Sequence, residues 1–184
     1  MKNIILSVLA TALIACGTQK LPVSLELSSV NDVPVSGMQF IDDNIAVSWF
    51  YINKAKLNFA LKNNTRGNIK VVWDNAAYVD ANGRTERIMH AGVKYADRNE
   101  SQPSSVVPAG AVLDDAVIPV GVVGYSQYSG WYEGTMFGFS QTDRKLAEAQ
   151  KEKTFGKNIK VLLPIEIDGI ITEYTFSFIV NKPI

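Results

Sequence analysis

One cysteine, Cys16, and one histidine, His90, stand in a chain of 184 residues. These scarcities exclude a good deal. With one cysteine there is no internal disulfide, so the fold has to hold by burying a core. A zinc site finds no second thiolate or imidazole to draw on. A Ser-His-Asp set assembled from His90 with Ser104 or Ser105 carries no weight as a pattern, because such triads are defined by geometry. Charge is balanced as well: 18 Lys and Arg against 18 Asp and Glu give a formal net charge of +0. That leaves no basic field for a phosphate backbone, and nucleic acid drops out as a partner. The longest apolar run, from Ile4 to Ile14, is roughly half the 20 or so residues a membrane-crossing helix needs.

Motifs for cofactors and metals are equally scarce. Gly121 to Gly124 lacks the closing Lys and Ser/Thr of a phosphate loop. Asp42-Asp43, Asp114-Asp115, and Asp80 with Glu86 supply oxygen ligands, yet none has the spacing of a calcium loop. No cofactor is therefore expected. Two acids brought into one cleft would make a hydrolase, and Asp42, Asp114, Asp115 and Glu133 are the candidates for that reading.

What is present is a globular composition, 47% hydrophobic and 20% charged. Val23 to Leu27 alternates apolar and polar residues, as a half-buried strand does. Ile45 to Ile52 is dense in β-branched and aromatic residues, and Lys56 to Lys62 alternates again before a turn at Asn63–Gly67. Ile69 to Val79 reads as one long strand, turning at Asn82-Gly83 into a return strand from Arg84 to Met89. Asp168-Gly169 gives a second hairpin between Ile159–Ile167 and Ile170–Val180. Pro108, Pro119 and Pro164 fall in or beside strand-like runs and predict edges or bulges there. One segment, Thr142 to Lys153, predicts a helix, with Ser140 as its cap and a thin apolar face of Leu146, Ala147 and Ala149. Together these predict an all-β, immunoglobulin-like antiparallel β-sandwich with one peripheral surface helix, a small β-barrel being the alternative.

The most unusual internal stretch is Gly121 to Phe139, where five glycines alternate with Tyr125, Tyr128, Trp131, Tyr132, Phe137 and Phe139. Aromatics with polar tips on a permissive backbone are the composition of recognition loops. Tyr125, Tyr128, Trp131 and Tyr132 are the candidate binding residues, for a protein partner, a saccharide or the membrane interface. The plainer alternative is that Trp131, Phe137 and Phe139 fold back and cover an open edge. Loop and helix together form an expected insertion at about 121–153.

The N-terminus carries a more specific signal. Lys2 precedes the apolar run, which ends in Leu13-Ile14-Ala15-Cys16-Gly17. A basic start, a short apolar segment and small residues at a cleavage point make a secretory signal. The tetrad Leu13 to Cys16 resembles the lipobox of bacterial lipoproteins. That resemblance implies removal of residues 1–15, a thioether-linked diacylglycerol on Cys16 and a further acyl chain, such as palmitate, on its new amine. Residues 16–22 would then be a short tether, and 23–184 a single domain held near the bilayer. Gly17, in place of the aspartate that favours inner-membrane retention in enterobacterial examples, implies outer-membrane placement facing the periplasm. Beyond its leader the chain resembles uncharacterised β-sandwich lipoproteins in architecture only. The expected function is accordingly non-enzymatic: binding another envelope protein through the Gly/aromatic loop or a strand edge, with saccharide or small-ligand binding, or a hydrolase with a hidden carboxylate pair, as the alternatives.

Overall fold

The computed structural model describes residues 21–183; Cys16 and the leader lie outside them. The chain forms β1 (Ser24–Val30), β2 (Val33–Pro34), β3 (Gln39–Ile41), β4 (Ile45–Asn53), β5 (Lys56–Asn63), β6 (Ile69–Val71) and β7 (Ala77–Val79). It continues through β8 (Thr85–Met89), β9 (Ser105–Val107), β10 (Val112–Pro119), β11 (Val123–Ser126) and β12 (Gly130–Glu133). The one α-helix among the described residues, α1 (Arg144–Thr154), precedes β13 (Asn158–Ile167) and β14 (Ile170–Asn181). Over the described residues the protein is all-β with one surface helix, as the sequence predicts.

Twelve of the strands join in one large curled antiparallel sheet, running β2-β1-β14-β13-β7-β8-β10-β5-β4-β3, with β6 on β13 and β9 on β6. It has two halves. One is built on the long hairpin β13–β14, the other on β3, β4, β5 and β10. Along the strand order they meet only where β8 pairs with β10, at Ile118↔Met89 and Pro119↔Ile88. Their inner faces close on each other through aromatic contact: Trp49 on β4 lies 4.9 Å from Phe176 and 5.3 Å from Phe178 on β14. The alternation along β14 is what aims Tyr174, Phe176, Phe178 and Val180 inward, and all four are buried.

Just past the short β8–β10 ladder, β8 diverges, and the carboxylate of Asp115 fills the gap. Its Oδ1 accepts from the backbone N–H of Ala91 and of Ala116, both at 2.7 Å, and its Oδ2 lies 3.0 Å from His90 Nδ1. The His90 ring stacks on Trp73, with centroids 4.5 Å apart and planes 5° from parallel. Gln102 ties in the same segment: its Oε1 accepts from His90 N, and its Nε2 donates to the Ile88 carbonyl. The lone histidine is thus a satisfied, packed side chain. Far from this seam, buried Asn63 on β5 donates to the Val107 carbonyl on β9 and fastens the halves a second time.

The hairpin at Asp168-Gly169 forms as expected, with both residues at positive φ, 50° and 81°. At Asn82-Gly83, only the glycine turns left-handed (φ 80°), and Asp80 Oδ1 accepts from Asn82 N and Arg84 N. The expected strand from Ile69 to Val79 is instead broken into β6 and β7 by a 3-10 turn at Trp73–Asn75. Burying the Trp73 indole turns the chain here, so β6 and β7 pair with different stretches of β13. Pro164 sits in that interior strand, not at an edge. Val72 N donates to the Pro164 carbonyl, so the missing proline N–H faces the gap between β6 and β7, where no ladder bond is lost. The helix is capped by Asp143, not Ser140: Asp143 accepts from Leu146 N, while Ser140 Oγ accepts from Asp143 N one turn earlier.

Removing the Asp115 carboxylate leaves two backbone donors and an imidazole without their acceptor. Asp115→Ala should destabilise the fold by about 3–5 kcal/mol, and His90→Ala by about 1–3 kcal/mol. Urea unfolding checks both, and equal stability of Asp115→Ala and wild type would show that the seam does not need the carboxylate.

Candidate functional site

The Gly/aromatic stretch is not a loose loop but a hairpin, β11–β12, standing outside the curled sheet. Its pairs are Val123↔Glu133, Gly124↔Tyr132, Tyr125↔Trp131 and Ser126↔Gly130. Strand geometry then sorts the aromatics, because neighbouring pairs face opposite sides. Tyr125 and Trp131 share one side with Val123 and Glu133. Tyr132 is on the other, and Tyr128 stands at the turn, 91% exposed. Of the four predicted residues, the structure brings two together and separates two.

The Tyr125–Trp131 side is held by residues that the sequence pattern does not single out. Val123 is buried beside Met89, Ala116 and Ile118, with Val93 and Tyr95 against them. This packing sets the hairpin base on the same β8–β10 seam. The Tyr95 hydroxyl donates to the Glu133 carboxylate. The Tyr95 ring meets Trp131 edge-on at 6.2 Å, and Tyr125 meets it at 5.2 Å. The Arg98 guanidinium lies 5.0 Å from the Trp131 ring centre, a cation–π contact, and donates to the Tyr95 carbonyl. Trp131 is therefore fixed on several sides while 40% of its surface stays open. Tyr95 and Arg98 come from a 3-10 turn at Tyr95–Asp97 and the residue after it. Their only advance signal was an aromatic and a cation three residues apart in a loop.

On the other side, the Tyr132 ring packs against Gly124. A Cβ on Gly124 would stand 2.3 Å from a ring carbon, so the close approach requires glycine. Downstream, Met136 and Phe139 are buried, and Phe137 packs edge-on against Tyr51 at 6.0 Å. The alternative in which aromatics fold back thus holds for Phe137 and Phe139 and not for Trp131.

The acids considered for hydrolysis are engaged at different places. Asp42 accepts from Asn44 N, Ile45 N and the Tyr174 hydroxyl, whose proton is held up to about 12 by burial and by that carboxylate. Asp115 serves His90, Glu133 serves Tyr95, and Asp114 is exposed. Ser105 accepts from the Trp73 indole N–H and does not meet His90 in a hydrogen bond. No family model, no curated protein and no solved structure matches this chain.

The bond to Glu133, followed by burial, raises the Tyr95 phenol from 10.0 to about 12. A raised phenol value means that the folded state holds the proton more tightly, so the link is intact below pH 10.0 and is lost as pH rises towards 12. The difference in tyrosinate absorbance between wild type and Tyr95→Phe should place this titration near 12, and Glu133→Ala should bring it back towards 10.0.

Proposed function

We propose that this chain is a lipid-anchored protein of a bacterial envelope, held at the outer membrane on its periplasmic side through Cys16, and that it works by binding another envelope protein. The lipobox-like Leu13-Ile14-Ala15-Cys16 supports the anchor. The immobilised Tyr125–Trp131 face, with Arg98 over the indole, carries the binding reading. Trp, Tyr and Arg are the residues that dominate protein interfaces, and a side chain already fixed loses little freedom on docking. Tyr128, projecting from the hairpin turn, adds a knob beside that face. Arg98 over Trp131 and the rings against its edges favour a protein surface over a flat sugar ring at this place. The two inner faces meeting through Trp49 support reading the curled sheet as an immunoglobulin-like sandwich.

Two experiments test the proposal separately. Cys16→Ser should leave the protein in the soluble fraction of cells that retain wild type on membranes; continued membrane retention would remove the anchor. Photo-crosslinking from position 128 in the native envelope should trap a discrete protein. Tyr125→Ala with Trp131→Ala should weaken that capture at least about tenfold. Undiminished capture would refute the hairpin as the contact.

A further inference from the structure

The opposite side of the hairpin holds a separate cavity. It measures about 200 Å³ and lies between β11–β12 and the segment that follows, with Gly124, Tyr132, Gly134, Thr135, Phe139 and Gln141 among its walls. That is below the about 300–1,000 Å³ of pockets for larger ligands, and suits a single small ring. Every residue lining it is uncharged. Phe139 is buried at 5% exposure, while Tyr132 remains 47% exposed, so one wall is an accessible aromatic ring.

The polar groups are mixed in kind. Thr135 Oγ1 accepts from Phe139 N, which leaves its own hydroxyl proton to donate. The Val122 carbonyl accepts from Gly134 N and keeps a second lone pair. Gln141 lays its amide against Gly134, 3.0 Å from where a Cβ would stand, and an amide both donates and accepts. The N–H groups of Gly121, Gly134 and Gly138 are already given to the Glu86 carboxylate and to the Val122 and Thr135 carbonyls, so the backbone here offers acceptors. A neutral lining that offers donors and acceptors together beside an aromatic ring matches a ligand with hydroxyls around its rim and C–H groups on its face.

We infer that this cavity binds one neutral pyranose ring, stacked on Tyr132 and hydrogen-bonded by Gln141, Thr135 and the Val122 carbonyl. The site is independent of the protein-binding face, because Trp131 and Tyr125 point to the other side of the hairpin.

The test uses the full-length protein in a detergent without a sugar head group, observed by saturation-transfer NMR. The probes are methyl glucoside, methyl galactoside and N-acetylglucosamine, with glucosamine and glucuronate as charged controls. At least one neutral probe should bind with a dissociation constant of about 1 mM, the range open to so small a ligand. Tyr132→Ala should weaken it about tenfold. Tyr132 also covers Gly124, so Gln141→Leu, outside the hairpin, serves as the second variant and should weaken binding about tenfold too. Trp131→Ala should leave it unchanged. Binding of none of the neutral probes, equal binding of the charged controls, or full binding in both variants would overturn the inference.

Discussion

The carboxylate of Asp115 stands where two halves of one sheet would otherwise part. The β8–β10 ladder supplies two residue pairs and stops, because β8 leaves the sheet at His90. Asp115 then takes the place of ladder acceptors, receiving Ala91 N and Ala116 N on one oxygen and facing the His90 imidazole with the other. A buried carboxylate is tolerable only when donors surround it, and here three do. Trp73 under His90 and Gln102 beside it make the seam a packed unit.

Much of the exposed chemistry hangs from this seam. The segment leaving β8 carries Tyr95 and Arg98, and the segment leaving β10 becomes the hairpin with Trp131. Both return to the same small apolar cluster of Met89, Ala116, Ile118 and Val123. The Trp131 environment therefore depends on two strands being held side by side. This is why a residue remote from the aromatic face governs its geometry, and why the face is presented as a rigid surface.

The sequence was most legible where local chemistry decides. Asp168-Gly169 specifies a left-handed two-residue turn, and β14 alternates residue by residue, so that hairpin could be read directly. The long strand from Ile69 to Val79 misled because β-branched and aromatic residues continue through Trp73, while the burial that turns the chain there is a tertiary effect. The helix was visible in its composition, but Ser140 and Asp143 are both cap-forming residues, and it is Asp143, three residues on, that accepts from the helix N–H. For the candidate site, the stretch was recognised but its internal order was not. Glycines hid the alternation that places Tyr132 opposite Trp131. Tyr95 and Arg98 lie some thirty residues away, and only folding brings them in.

The Asp115 seam should be as firmly bonded as the sheet it joins and should hold the hairpin base in place. Site-resolved amide hydrogen exchange tests this most directly. The Ala91 and Ala116 amides should exchange as slowly as those in the middle of β10, with the Gly134 amide, which donates to the Val122 carbonyl at the hairpin base, protected alongside them. Rapid exchange at Ala91 and Ala116, while the rest of β10 stays protected, would contradict it.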